Sequence, residues 1–386
     1  MHATGTSPDQ LIPVFDVRVT REDLDAVAET LRSGWLTMGP RTQQFEGAFA
    51  EMIGARHGVA LANCTAALHL AYLAAGIGPG DEVIVPSCTM VATAAAVLYA
   101  GAKPVFADIV GIHEPLIDAE HVEALITERT KAVVAMHFGG YAAAVDRLER
   151  LCRERHLTLL EDAAHSPLAS LAGRSLGTWG LAGAFSFFSN KVLCAGEGGM
   201  LVTDDDEVAA FARSRRSHAM TTGSWDRHQN GPSHYDVPAL GYNYRIDEPR
   251  AALLMSRMRR LHADVARRRA ITQRYRRLLS ELPGLIVPFT DASVETSSCY
   301  VMPVMVEDPS RQGQLRLTLR EIHGVQTSIF YPAIHEFTAY RTRFPGVWLP
   351  HTELAARSEI TLPLFPHLTE AQQDRVVDAL KIELSA

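Results

Sequence analysis

The chain has 386 residues, 47% of them hydrophobic and 21% charged, with a net charge of −7. That composition excludes a disordered chain and gives no electrostatic reason to expect nucleic acid or an anionic membrane as a partner. Five cysteines (Cys64, Cys88, Cys152, Cys194, Cys299) form no C-x-x-C pair, so the expectation is a reduced, cytoplasmic protein without a disulfide framework or a metal site. The N-terminal residues carry no basic-then-apolar pattern of a secretory signal, and no apolar run reaches the roughly 18 residues of a membrane span.

From about residue 20 to 250, short apolar runs alternate with helical patterns. Strands are predicted at Val59–Ala62, Glu82–Val85, Pro104–Ala107, Lys131–His137, Leu157–Glu161, Ala184–Phe187 and Met200–Thr203. Helices are predicted at Ala66–Ala75, Thr89–Tyr99, Ala119–Ile126 and Val145–Arg155. Continuous apolar strands separated by single helices predict an α/β fold with a mostly parallel central sheet covered on both faces. Residues 204–247 read as a long loop containing His218, Trp225, His228, His234, Tyr235, Gly231 and Pro232, and a loop of that length is usually functional. Ala251–Leu279 reads as a long helix with Met255, Met258, Leu261 and Val265 as packing residues. Beyond it, strands at Tyr300–Val306 and Val325–Ile329 and helices at Leu315–Ile322 and Glu370–Leu384 predict a smaller α+β domain. The division is 1–250 for the large domain and 251–386 for the small one.

Ligands of such sheets sit beyond the carboxyl ends of strands, which is where several unusual residues fall. Lysine is nearly absent from the chain: only Lys103, Lys131, Lys191 and Lys381 occur. Lys191 follows the apolar run Phe185-Ser-Phe-Phe-Ser-Asn and precedes the glycine-dense Ala195-Gly-Glu-Gly-Gly199. A desolvated lysine can lose its proton and attack a carbonyl, which arginine cannot. Asn63-Cys64-Thr65-Ala66 follows a strand and opens a helix, a ready anion site, although an ordinary helix cap has the same form. Asp162 ends a buried strand and needs a cationic partner to stay ionised, though a cap or a metal ligand fits that position equally. Ser186 could meet a phosphate in the same crevice. Gly241-Tyr-Asn243-Tyr-Arg245 offers an amide, phenols and a guanidinium suited to phosphate or carboxylate.

Taken together, Ser33-Gly-Trp-Leu-Thr37, Cys64-Thr-Ala-Ala-Leu-His69, Gly76-Ile-Gly-Pro-Gly-Asp-Glu-Val-Ile-Val-Pro-Ser87, Glu161-Asp-Ala-Ala-His165, Lys191 with Gly196-Glu-Gly-Gly199, and Tyr242-Asn-Tyr-Arg245 resemble the DegT-type sugar aminotransferases. These are pyridoxal 5'-phosphate enzymes of the aspartate-aminotransferase fold (fold type I). The resemblance implies Lys191 as the Schiff-base lysine, Asp162 at the pyridine nitrogen and His165 near the ring hydroxyl. It implies Cys64, Thr65, Ala66 and Ser186 as phosphate ligands. Asn243 is expected to reach the cofactor of a neighbouring subunit in a homodimer. One departure is visible: Met90 occupies a place where the family usually has an aromatic residue on the ring, and a thioether can still lie there. Phe330-Tyr331-Pro-Ala-Ile-His335 resembles a segment near the substrate opening, so Tyr331 and His335 join Thr37, His218 and Arg245 as substrate-side candidates.

The implied activity moves an amino group from an amino acid such as L-glutamate to a keto-sugar, with pyridoxamine 5'-phosphate as the intermediate form of the cofactor. A nucleotide-linked keto-deoxysugar in amino-sugar or antibiotic biosynthesis is the expected acceptor. The alternatives are an aminotransferase for a cyclitol or other carbocyclic ketone, and a non-catalytic cofactor-binding regulator.

Overall fold

Runs of Val, Ile, Leu and Ala that are apolar at every position, not at alternate ones, are buried on both faces of a sheet. The computed structural model describes residues 11–229 and 234–385 and carries these runs as strands. They are β1 (His57–Leu61), β2 (Glu82–Pro86), β3 (Lys103–Ala107), the hairpin β4 (Ile109–Gly111) and β5 (Glu114–Ile117), β6 (Thr130–Met136) and β7 (Thr158–Asp162). The hairpin β8 (Ser170–Leu171) and β9 (Arg174–Ser175) follows, then β10 (Ala182–Ser186) and β11 (Gly199–Thr203). Among the described residues, seven of them form one sheet in the order β1-β11-β10-β7-β6-β2-β3. Only β11 runs antiparallel to its neighbours. The carboxyl ends of β1, β2, β6, β7 and β10 and the start of β11 therefore share one edge.

Helices α1 (Arg21–Arg32), α2 (Pro40–Ile53), α3 (Cys64–Ala74), α4 (Ala92–Tyr99), α5 (Ala119–Ala124), α6 (Val145–Glu154), α7 (Asp206–Arg215), α8 (Ser224–His228) and α9 (Glu248–Leu279) cover this sheet. On one face Val59, Leu61, Val83, Val85 and Val134 pack with Leu70 and Tyr72 of α3 and Val97 of α4. On the other, Ile84, Val133 and Ala135 meet Leu148 and Leu151 of α6, while Ala60 and Val202 meet Phe45 and Phe49 of α2 and Leu254 and Leu261 of α9. Each such side chain, fully withdrawn from water, contributes roughly 1.5–3 kcal/mol.

The second unit has β12 (Leu285–Ile286), β13 (Met302–Val306) and β14 (Glu359–Leu362) in an antiparallel sheet, with α10 (Asp291–Thr296), α11 (Gln312–Glu321), α12 (Thr338–Arg343), α13 (Pro350–Ser358) and α14 (Glu370–Ser385). Helix α9 serves both units: Leu261 and Val265 join the core beneath the large sheet, while Ile271, Tyr275 and Leu279 join the core of the small one. The segment entering the large unit also touches the small one, since Ile12 bridges Val325.

Two expectations are corrected. Val325–Ile329 is no strand: Val325 bridges Ile12 and Ser328 bridges Thr361, so the run changes partner before a continuous ladder can form. Residues 204–247 are not one loop, because Asp205 caps α7 through the N–H groups of Glu207 and Val208, and α8 follows. Gly231 and Pro232 lie outside the described residues. Among the described residues no helix is long and apolar enough to cross a membrane, and the five cysteines are free thiols.

Candidate active site

At the shared edge of the sheet, each strand end delivers one polar group. The last residue of β7, Asp162, is buried with its carboxylate accepting the Thr93 hydroxyl at 2.7 Å and the Ala164 N–H at 3.2 Å. Burial pushes its pKa up, while those two hydrogen bonds, Lys191 and His137 push it down. Thr93 is itself 3.0 Å from the hydroxyl of Thr89. Thr93 is absent from the motifs. It is a fully buried hydroxyl in the alanine-rich helix α4, and its partner becomes visible only in the packed structure.

The neighbouring Glu161 points to the opposite face and fixes the turn that leads into β10. It accepts N–H groups from Gly177, Trp179 and Gly180 at 2.6–2.9 Å and pairs with His137 at 3.0 Å. His165 is fully buried. Its Nδ1 accepts the Gly139 N–H at 3.2 Å, so its Nε2 carries the proton and donates to Tyr331 Oη at 2.8 Å. Burial and the positive charge of Lys191 hold its pKa well below the ordinary value, which keeps the ring neutral.

Lys191 lies in the turn after β10 with its Nζ 4.4 Å from the centre of the Tyr300 ring. Desolvation lowers its pKa to about 8, against the pull of Asp162. An amine so placed is neutral for part of the time near physiological pH, which an exposed lysine is not.

The anion end of the crevice is built where β10, β11 and α3 meet. Ser186 pairs with Gly199 across the β10–β11 ladder. A Cβ on Gly199 would stand 2.3 Å from the carbonyl carbon of Asn63 and 2.6 Å from the Cys64 nitrogen, so only glycine lets the strand reach the helix start. Asn63 caps α3 through the Ala66 N–H at 2.9 Å. Among the described residues no protein acceptor meets the N–H groups of Cys64 and Thr65. Two free N–H groups at the positive end of a helix are a place for a phosphate; the Ala66 amide is committed to the cap.

Other candidates are distributed differently. Met90, beyond β2, is 50% exposed. Thr37, His218 and Asn243 are exposed, His218 in a left-handed conformation with φ of 60°. Arg245 is half-buried and donates to Ser217 Oγ at 3.2 Å. Tyr331 is buried beside His165. His335 is buried with both ring nitrogens engaged, Nδ1 with Ser87 Oγ at 2.8 Å and Nε2 with Glu353 at 3.3 Å. It fastens the end of β2 to α13 and has no ring nitrogen left over.

The whole chain has known relatives. A family model described as the DegT/DnrJ/EryC1/StrS aminotransferase family matches residues 17–381. The chain belongs to that family. It is therefore a pyridoxal-phosphate-dependent aminotransferase, as the sequence motifs imply. It is 38% identical over 371 residues to the spore coat polysaccharide biosynthesis protein SpsC of Bacillus subtilis (strain 168), covering 94% of each. Among solved structures it resembles the aminotransferase TlmJ of Streptoalloteichus hindustanus, with 36% identity, a TM-score of 0.90, and 97% of this chain and 99% of that one covered. It also resembles DesI, solved in the presence of its TDP-sugar product, with 32% identity, a TM-score of 0.87 and 98% and 94% coverage. The fold is that of the family's enzymes, as the strand-and-helix alternation predicts.

The residues present fit the cofactor of this family. A buried carboxylate with a raised pKa lacks a full cationic partner, two helix N–H groups lack acceptors beside Ser186, and a desolvated amine stands in the same crevice.

Proposed function

We propose that this aminotransferase transfers the amino group of L-glutamate to a keto-sugar carried on a nucleotide, yielding an amino sugar for polysaccharide or antibiotic assembly. The convergence of Lys191, Asp162 and the open start of α3 at one sheet edge carries the reading of the site. Similarity to DesI, with its TDP-sugar product, and to SpsC supports the choice of acceptor. The net charge and the free cysteines are consistent with a cytoplasmic enzyme.

Pyridoxal phosphate supplies an aldehyde for the amine of Lys191 and a ring that accepts the electron pair left at the substrate carbon. Asp162 would hold the protonated ring nitrogen, and that cation would relieve the cost of burying the carboxylate. Thr93 fixes the orientation of the Asp162 carboxylate through its hydroxyl. The Cys64 and Thr65 N–H groups and the Ser186 hydroxyl hold the phosphate. Met90 would pack on the ring and the neutral His165 would stand near its hydroxyl. The Lys191 amine would take the proton from the substrate carbon and return it. A base must be neutral to accept a proton, and burial lowers the Lys191 pKa to about 8 from the ordinary value of about 10.4.

Thr37, Tyr331, His218 and Arg245 are our candidates for the substrate side, with Tyr331 oriented by His165. His335 contributes from behind by fixing the loop after β2. Asn243 is exposed on its own subunit and reaches the phosphate site of a second copy in a homodimer.

The test is a two-step spectral assay on purified protein loaded with the cofactor. Glutamate is expected to bleach the visible band with one equivalent of 2-oxoglutarate released, and a nucleotide-linked keto-sugar to restore it. Restoration by carbocyclic ketones and by none of the keto-sugars overturns the acceptor. A Lys191→Ala protein with an unchanged visible band overturns the site.

A further inference from the structure

Tyr300 belongs to the segment entering β13 of the small sheet, yet its ring is fully buried against the turn that carries Lys191. The Lys191 Nζ stands 4.4 Å from the ring centre, over its face. The Tyr300 hydroxyl donates to Asn190 Oδ1 at 3.0 Å, so the same side chain holds the residue preceding the lysine. Burial raises the pKa of that hydroxyl and keeps it a donor. The ring cannot drift. Phe15 stacks on it at 5.7 Å, Phe330 meets it edge-on at 5.8 Å, and the His165 ring lies 4.3 Å away. Its backbone is held from both sides, by the Gly139 carbonyl at 2.9 Å and by the Arg268 guanidinium at 3.3 Å.

We propose that Tyr300 is a positioning residue for Lys191: its ring face receives the ammonium formed when the lysine takes up a proton, while its hydroxyl fixes the turn through Asn190. An aromatic face attracts a cation and is indifferent to a neutral amine. The ring therefore stabilises the proton-loaded lysine and leaves the neutral one free to react. This role rests on Lys191 being the base, as read above.

The other groups facing the amine are known. Asp162 from the end of β7 also favours the ammonium and burial opposes it, while burial raises the Cys64 thiol well above its ordinary pKa and so keeps it uncharged. His165 is neutral and contributes no charge. Arg268 of α9 donates to the Tyr300 carbonyl, and Arg18, Arg257, Arg260, Asp264 and Arg267 line the same cleft as Lys191 and Arg268.

The scarcity of lysine makes a direct measurement practical. In cofactor-free protein labelled with [6-13C]lysine, only four side chains report, and Lys191→Ala assigns the signal of position 191. Tyr300→Phe retains the ring and is expected to leave the titration midpoint of Lys191 in place. Tyr300→Leu is expected to lower it by about half a pH unit or more. Fluorinated phenylalanines at position 300 keep the shape and progressively weaken the negative face, so the midpoint is expected to fall stepwise along that series. The fluorinated series decides the matter if the leucine variant does not fold. Equal midpoints across the series overturn the proposal, because a purely structural ring does not care how many fluorines it bears. The titration needs no cofactor or substrate. Loss of the Lys191 reading would appear separately, as a cofactor band that survives Lys191→Ala.

Discussion

The Tyr331 hydroxyl lies 2.8 Å from His165 Nε2, and because the Gly139 N–H occupies Nδ1, the histidine is the donor of that bond. The phenolic proton of Tyr331 is thereby left for another acceptor. Replacing Tyr331 by Phe strands a buried ring N–H and is expected to cost about 1–3 kcal/mol in urea denaturation. The same variant should lower the rate of keto-sugar conversion more than that of the glutamate half-reaction.

His165 also makes stability depend on pH. Its folded pKa lies below that of the unfolded chain, so the unfolded chain binds the proton first as pH falls. Stability is then expected to be full above about pH 6.5 and to decline below it. A His165→Gln protein should show a shallower decline between pH 6.5 and 5, measured as urea midpoints (roughly the unfolded histidine's titration range).

Glu359 gives a slope of the opposite sign. It is buried, accepts the Phe330 N–H at 2.7 Å, and desolvation raises its pKa to about 8. A raised folded pKa contributes stability that is fully present below the unfolded value of 4.5 and is lost as pH rises through about 8. Between pH 6 and 9 the Glu359→Gln protein is expected to hold its melting temperature while wild type loses about 5 °C or more, both by calorimetry.

Gly199→Ala puts a methyl group into the backbone of Asn63 and Cys64. The helix start must move away from Ser186, and the phosphate site opens with it. A loss of about tenfold or more in cofactor affinity is expected, with about 1–3 kcal/mol of stability, by titration of the cofactor-free protein. Retained affinity would remove Ser186 and the α3 start from the phosphate site.

Asn243 tests whether sites are shared between subunits. If Lys191 of one copy works with Asn243 of the other, Lys191→Ala and Asn243→Asp proteins are each inactive alone. Refolded together in equal amounts, they should recover about a quarter of wild-type activity, since half the dimers are mixed and each holds one intact site. No recovery on mixing places Asn243 within its own subunit's site or outside any site.

Much of the fold was legible because the large sheet's strands are short, apolar throughout and closed by turn residues. All seven predicted strands of residues 59–203 appear within a few residues of their expected ends. The small sheet was harder to read. Glu359-Ile-Thr-Leu362 follows α13 without a turn signal and begins with a buried carboxyl group, a poor strand marker. At the site, Lys191, Asp162 and the α3 start announce themselves by residue type at strand ends. Thr93 and Tyr300 do not, since each matters through a neighbour that only the packed structure supplies. The histidines divide on the same ground: His165 and His335 are both buried, and no motif says which of their nitrogens the protein already uses.

The turn bearing Lys191 hangs from one sheet, and the aromatic surface beneath it arrives from the other, some 110 residues later in the chain. A nascent chain that has made only the first unit lacks the ring on which that amine rests and the hydroxyl that holds Asn190. The lysine's full surroundings exist only once the second unit has docked, so completion of the reactive centre waits on synthesis of the chain beyond residue 300.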